Sequence, residues 1–130
     1  MNRVVVALGS NVDSTVNVKK ACEALGREFS LKATSSLIRT KPLGFKEQED
    51  FLNGVVLLET ELEPESLKQK LKDLEVALGR QKQENKWGPR EIDLDILIWN
   101  GEVVDKDYYE RDFLQKAVAE ILPDVKLRCC

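Results

Sequence analysis

Two aspartates separated by one residue are the feature of this sequence that points most directly to chemistry. They lie in the run Ile92-Asp93-Leu94-Asp95-Ile96-Leu97-Ile98, where apolar and acidic residues alternate. A period of two is typical of a β-strand, so both carboxylates should project from one face, with Cα atoms about 7 Å apart. The apolar residues Ile92, Leu94, Ile96 and Ile98 should project from the other face. Two like charges on an otherwise apolar strand repel each other and lose hydration. Mg²⁺ would relieve both costs, because it takes carboxylate and phosphate oxygens as ligands.

The pattern Asp-x-Asp alone does not prove a metal site. Aspartates at a strand end can also face solvent or pair with an arginine. The segment before the strand favours the metal interpretation, because it carries Gly88-Pro89 and four cations of the kind that bind phosphate, namely Arg80, Lys82, Lys86 and Arg90. Of these cations, Lys82 and Lys86 are equally compatible with a solvated surface.

Composition limits the class of protein. The 130 residues are 42% hydrophobic and 33% charged, which is typical of one soluble domain. A net charge of −3 gives no reason to expect nucleic acid or an anionic membrane as partner. No apolar run is long enough for a signal or membrane span, so we expect a cytoplasmic protein, and no obligate protein partner is evident. Histidine is absent, which excludes His-based catalysis and leaves carboxylates, cations and metal.

The hydrophobic periodicity predicts the elements that must position these residues. Their order is β-α-β-β-α-β, followed by a hairpin turn at Asn100-Gly101 and a last amphipathic helix. The predicted strands cover residues 3–8, 29–40, 51–62 and 92–99. This order is the split βαβ arrangement, so the sequence predicts one α+β domain over residues 1–130, with a ferredoxin-like βαββαβ core, an added hairpin arm and a C-terminal helix.

The segment from Arg80 to Ile98 resembles the signature region of the 6-hydroxymethyl-7,8-dihydropterin pyrophosphokinase family. Its run Trp-Gly-Pro-Arg-x-x-Asp-x-Asp is the most specific part. Further family motifs follow the right order along the chain, namely Ala7-Leu8-Gly9-Ser10-Asn11, Arg39-Thr40-Lys41-Pro42-Leu43-Gly44, Phe51-Leu52-Asn53, Leu74-Glu75 and Arg111-x-Phe113. The resemblance implies Mg²⁺-dependent transfer of pyrophosphate from ATP to the hydroxymethyl group of a reduced pterin, with release of AMP, in folate biosynthesis.

The resemblance also implies roles for individual residues. Asp93 and Asp95 match the family's aspartates that bridge two Mg²⁺ ions, and Arg80 and Arg90 match catalytic arginines that contact the triphosphate. Residues implied at the nucleotide are Glu75, Lys82, Lys86, Trp87, Ile96 and Arg111. Trp87 would seal the closed site against water. For Glu75, a plain charge on the helix surface is the alternative.

A pterin is flat and rich in donors and acceptors, so it needs rings on its faces and amide groups at its edge. Phe51 and Asn53 are two residues apart on a predicted strand and therefore share a face. By resemblance, Phe51 stacks on the pterin, Asn53 binds its edge and Phe113 covers its other face. Ordinary core packing is the alternative for both aromatics. By the same resemblance, the backbone of the loop that contains Thr40, Pro42 and Leu43 also binds the edge of the pterin.

One segment departs from the family pattern. Residues 105–110, after Val104, are shorter than the family's usual arm and contain no histidine, so contacts to the base and ribose of ATP should differ. Two other functions stay open. A palm-like nucleotidyltransferase would attack the α-phosphorus and release pyrophosphate, and a degenerate family member would bind pterin or nucleotide without turnover.

Overall fold

The computed structural model describes residues 1–41, 50–79 and 92–122, and in these ranges six strands form one sheet accompanied by four helices. The strands are β1 (Asn2–Ser10), β2 (Ser30–Thr34), β3 (Ile38–Thr40), β4 (Phe51–Thr60), β5 (Asp93–Trp99) and β6 (Glu102–Val103). The helices are α1 (Ser14–Glu28), α2 (Pro64–Ala77), α3 (Asp107–Glu110) and α4 (Asp112–Ile121). None of the helices in these ranges has the length and apolar character needed to cross a bilayer.

The sheet has the order β2-β4-β1-β5-β6, and β3 also pairs with β4. All the pairings are antiparallel. Strand β4 lies between β1 and β2, so the first βαβ unit is split by a later strand, as in a ferredoxin-like fold. The predicted α+β class, βαββαβ core, β5–β6 hairpin and C-terminal helix are therefore confirmed.

Apolar side chains cover both faces of the sheet. On one face, Val4, Val6 and Leu94 pack with residues of α1 and α2, and we call this cluster the α1–α2 core. On the other face, Val5 and Val55 pack with residues of α4, and we call this cluster the α4 core. Because both faces are buried, β1 and β4 read as nearly continuous apolar runs instead of alternating ones.

The predicted strand over residues 29–40 is wrong as a single element, because β2 and β3 are separate. Between them, Ser35 bonds to β4: its N–H donates to the Val55 carbonyl at 2.9 Å, and its Oγ accepts from the Val55 N–H at 2.9 Å. Ser36 then turns to α4, where its N–H and Oγ donate to Glu120 Oε1 at 3.0 and 2.8 Å. Such serine hydrogen bonds compete with a regular ladder, which explains the break.

A β-bulge changes the predicted faces of β5. Val6 pairs with Ile96 and Val5 with Ile98, so Leu97 is an extra residue on β5. Leu97 and Ile98 consequently both pack in the α4 core. Placing Ile98 on the same face as the earlier apolar residues of this strand was therefore wrong, although the bulge comes after the two aspartates and leaves their alternation intact.

The turn into β6 matches the prediction. Asn100 and Gly101 have φ values of 49° and 84°, the left-handed conformations that a two-residue hairpin turn requires. The Asn100 side chain stabilises this turn, since its Oδ1 accepts a hydrogen bond from the Arg3 N–H at 2.8 Å. Short helix α3, which follows the hairpin, was not predicted.

Candidate active site

The register of three strands brings predicted site residues together at one end of the sheet. Gly9 of β1 pairs with Asn53 of β4 on one side and with Asp93 of β5 on the other. Ala7 pairs with Asp95 in the same way. Directly paired residues project to the same face of a sheet. Adjacent strands lie about 4.8 Å apart, so the Cα atoms of Asn53 and Asp93 are separated by about 10 Å, with Gly9 between them.

These residues lie on the face covered by α4. Ala7 packs against the α4 core, so Asp95, its partner in β5, projects to that face. Phe51 and Asn53 precede the α4-core residue Val55 by four and two positions in β4. Side chains two residues apart on a strand share a face, so both also project to the α4 side. An aromatic–amide pair and a carboxylate pair, predicted from separate motifs, therefore occupy one surface.

Asp93 and Asp95 lie side by side, as their spacing predicted. Burial, followed by the negative charge of Asp93, raises the pKa of Asp95 to about 7, and a hydrogen bond between the two side chains acts in the same direction. The carboxylate of Glu75 raises this pKa further, whereas the ammonium of Lys72 lowers it. The two carboxylates therefore repel each other, and a bound cation would relieve this repulsion.

The donor set of this pair fits Mg²⁺. Both side chains offer carboxylate oxygens, the ligands that Mg²⁺ prefers. Within residues 1–41, 50–79 and 92–122, no group of three or more His, Cys, Asp or Glu side chains is arranged to hold a metal ion. Mg²⁺ is seldom bound by protein ligands alone. It is usually bound by one or two carboxylates, with substrate phosphates as further ligands.

Glu75 lies behind this pair in the buried part of the molecule. Its side chain is buried, and Oε2 accepts a hydrogen bond from the N–H of Leu94 at 2.7 Å. Leu94 is the residue between the two aspartates. Lys72 places its Nζ 3.5 Å from Glu75 Oε1. The interpretation of Glu75 as a surface charge is therefore wrong, while its predicted contact with nucleotide stays a prediction.

One sequence signal would have revealed the burial of Glu75. It follows Leu71 by four residues and Leu67 by eight, so the three share one stripe of α2. Both leucines lie in the α1–α2 core. An acidic residue that continues an apolar stripe indicates a buried carboxylate with a specific partner.

The amide of Asn53 has a defined orientation. Its Nδ2 donates hydrogen bonds to Thr40 Oγ1 at 2.7 Å and to the Ile38 carbonyl at 3.4 Å, both in β3. Both amide hydrogens are thus engaged, which leaves Oδ1 as the atom that can accept a hydrogen bond from a ligand. Phe51 pairs with Thr40 and is half-buried. Thr40 therefore supports Asn53 through its side chain, a contact that the sequence did not indicate.

Phe113 and Arg111 lie at the start of α4. Phe113 is half-buried against the α4 core, and the Arg111 guanidinium lies 5.2 Å from the centre of its ring, which is a cation–π contact. Ile96 differs, because its side chain packs against the α1–α2 core, on the other face from the aspartates. A contact between Ile96 and nucleotide stays a prediction and would use its backbone.

The other predicted site residues lie outside the described ranges. They are Pro42 and Leu43, predicted to contact the pterin, and the residues predicted to contact the nucleotide or act in catalysis, Arg80, Lys82, Lys86, Trp87 and Arg90. Their roles stay predictions.

We expect the metal-free protein to lose stability as the pH rises from about 4 to 7. The pKa of Asp95 is raised from 3.8 to about 7, so the folded state binds this proton more tightly than the unfolded state. The resulting stabilisation is complete below pH 3.8 and is lost as the pH approaches 7. Urea unfolding in a chelator measures the effect, and we expect Asp95→Asn to reduce the loss by about 1–3 kcal/mol. Parallel pH profiles for both proteins would contradict this assignment.

Comparison of the sequence with known proteins identifies its family. Residues 5–123 match the family described as 7,8-dihydro-6-hydroxymethylpterin-pyrophosphokinase (HPPK). The 2-amino-4-hydroxy-6-hydroxymethyldihydropteridine pyrophosphokinase of Aquifex aeolicus is 37% identical over 96% of this chain and 83% of its own length. The protein of the same name from Bacillus subtilis is 36% identical over 97% of this chain and 82% of its own length.

A plant protein shows the same similarity within a longer chain. The folate synthesis bifunctional protein of Arabidopsis thaliana is 33% identical over 92% of this chain, which corresponds to 27% of the plant protein. The extent and identity of these matches show that the chain belongs to the 7,8-dihydro-6-hydroxymethylpterin-pyrophosphokinase family and is a pyrophosphokinase.

Proposed function

We propose that this protein transfers pyrophosphate intact from ATP to the hydroxymethyl group of 6-hydroxymethyl-7,8-dihydropterin, with Mg²⁺ and with release of AMP, in folate biosynthesis. One observation carries the proposal. Phe51 and Asn53 share a sheet face with Asp93 and Asp95, and Gly9 alone separates Asn53 from Asp93 in the register. A group-transfer enzyme needs the acceptor and the phosphate donor side by side, and this face supplies both halves.

The acceptor half suits a pterin. Phe51 offers a ring for stacking, and Asn53 Oδ1 can accept a hydrogen bond from an N–H group at the pterin edge. The Thr40 hydroxyl, 2.7 Å from Asn53 Nδ2, fixes which end of the amide faces the ligand. A ring stacked on Phe51 and bonded to Asn53 would lie on the same sheet face as the two aspartates that its hydroxymethyl group must approach.

In the reaction, the hydroxymethyl oxygen attacks the β-phosphorus of ATP. The bond from this phosphorus to the oxygen that bridges it to the α-phosphorus breaks, AMP leaves with that oxygen, and the hydroxyl proton is released. Mg²⁺, when bound, supplies neutralisation of phosphate charge. Asp93 and Asp95 would hold this Mg²⁺ beside the donor phosphates, and Glu75 fixes the strand between them through the Leu94 N–H. We assign Arg80 and Arg90 to the triphosphate by family resemblance.

A nucleotidyltransferase is the alternative with the same type of carboxylate pair. It would leave Phe51 and the oriented amide of Asn53 without a use, which favours the pyrophosphokinase reaction. Among the described residues, the intact carboxylate pair and its buried support from Glu75 argue against a degenerate member. A cytoplasmic location and the lack of an obligate protein partner stay predictions from the sequence.

We expect incubation with ATP, Mg²⁺ and the reduced pterin to yield AMP and the pterin diphosphate. Chromatography of the nucleotide products is the measurement. Reactions without pterin or with excess chelator are the controls and should yield no AMP. Release of pyrophosphate would instead support a nucleotidyltransferase, and binding of both ligands without any product would support a degenerate member.

A further inference from the structure

We propose that Gly9 is a positioning residue for the acceptor substrate: the absence of a Cβ atom leaves room for Asn53 Oδ1 to face the ligand. The inference rests on the proposed function, because it takes the Asn53 side of the site to be the pterin side. It assigns to the Gly9 position a role in the affinity for the pterin.

The space at Gly9 supports this role. An added Cβ atom would lie 3.0 Å from Asn53 Oδ1, which is tighter than nine in ten contacts of real Cβ atoms, so Asn53 would have to shift by a few tenths of an ångström. The next nearest atoms are Phe51 Cδ1 at 3.8 Å and the Leu52 carbonyl oxygen at 3.9 Å. Gly9 lies inside the extended strand β1 and does not have a positive φ, so its backbone conformation does not require glycine. The close approach of Asn53 is what favours glycine at this position.

Asn53 has little freedom to move away. Its side chain is buried, and Nδ2 is bound to Thr40 Oγ1 at 2.7 Å and to the Ile38 carbonyl at 3.4 Å. A shift of Oδ1 by a few tenths of an ångström would have to rotate the amide or lengthen its bond to Thr40. Hydrogen bonds depend strongly on direction, so a Cβ atom at Gly9 would weaken a bond from the pterin to Oδ1 by displacing the amide.

The effect should be confined to one half of the site. The nearest neighbours of the added atom belong to the acceptor half, Asn53 and the two residues before it. Gly9 pairs with Asp93 only through the backbone ladder, and alanine preserves that ladder. Nucleotide binding therefore serves as an internal control.

A double-mutant cycle tests the inference through the dissociation constant of the reduced pterin, measured by calorimetry with magnesium and a non-hydrolysable ATP analogue. Gly9→Ala should weaken pterin binding by about tenfold, the value of one well-made hydrogen bond. In an Asn53→Ala background, where Oδ1 is absent, the same change should cost less than about twofold. The dissociation constant of the ATP analogue should stay within about twofold in all four proteins.

Gly26→Ala is the matched control, because a Cβ atom there would have Leu31 Cδ2 at 3.9 Å as its nearest neighbour. We expect it to leave pterin binding unchanged. An equal loss from Gly9→Ala with and without Asn53, or no loss at all, would overturn the inference. If Gly9→Ala unfolds, thermal melting of the double variant decides. A clash with Asn53 predicts that the melting temperature recovers when Asn53→Ala is added to Gly9→Ala. A melting temperature that does not recover overturns the inference. Wild-type protein that binds no pterin would contradict the proposed function, and this inference would then fall with it.

Discussion

Asp95→Asn is expected to lower turnover by at least about a hundredfold while the protein stays folded. Asparagine keeps the shape of the side chain but removes the negative charge that we propose binds the cation at the phosphates. The same charge is unfavourable without ligand, because burial and Asp93 raise the pKa of Asp95 to about 7. The free energy of unfolding in chelator at about pH 8 should therefore stay equal or increase.

Steady-state rates with saturating Mg²⁺ and urea unfolding test these two effects together. Glu59→Gln is a suitable control, since Glu59 is a carboxylate of β4 paired with Arg3, at the opposite end of the sheet. It should keep the wild-type rate. Near-normal turnover of Asp95→Asn would exclude Asp95 as a metal ligand, and loss of activity together with stability would indicate a structural role.

Glu75→Ala is expected to lower activity about 10- to 100-fold and the free energy of unfolding by about 1–3 kcal/mol. The carboxylate of Glu75 accepts the hydrogen bond from the Leu94 N–H at 2.7 Å. Alanine leaves that buried donor without its partner and opens a cavity behind the strand. Because Leu94 lies between Asp93 and Asp95, both carboxylates should lose alignment.

Glu75→Gln separates the hydrogen bond from the charge. Its amide oxygen can still accept from the Leu94 N–H, so its stability should stay within about 1 kcal/mol of the wild type. Asp73→Ala changes an exposed residue on the same helix and removes only a surface hydrogen bond from Gln69, so the rate should stay unchanged and the free energy of unfolding should fall by no more than about 0.5 kcal/mol. The proposed role of Glu75 is wrong if Glu75→Ala retains full activity and stability, or if Asp73→Ala has the same effect.

The sequence predicted those features that depend on local spacing. Alternation placed Asp93 and Asp95 on one face, and the order of apolar segments predicted the split βαβ core. The glycine after Asn100 predicted the hairpin. Each of these inferences uses residues that are near one another in the chain, where the period of a strand or the conformation of a turn is decisive.

Features that depend on distant pairing were not predicted. The separation of β2 from β3 depends on hydrogen bonds from Ser35 to Val55 and from Ser36 to Glu120. The hydrogen-bond partner of the Glu75 carboxylate is Leu94, 19 residues away, and the helical stripe that indicates a buried carboxylate does not identify that partner. Strand register is set by pairing across the whole sheet, so no local pattern could place Gly9 between the amide and the carboxylate.

The β-bulge at Leu97 determines where β5 can change its length. Side chains on a strand alternate, so inserting one residue between Asp93 and Asp95 would turn one carboxylate to the opposite face. Leu97 already has no partner in β1, and it follows both aspartates. Removing it would leave the pairing of Asp93 with Gly9 and of Asp95 with Ala7 in place and would restore a regular ladder. Natural variation in the length of this strand should therefore concentrate after Asp95, where insertions and deletions leave the carboxylate pair in phase.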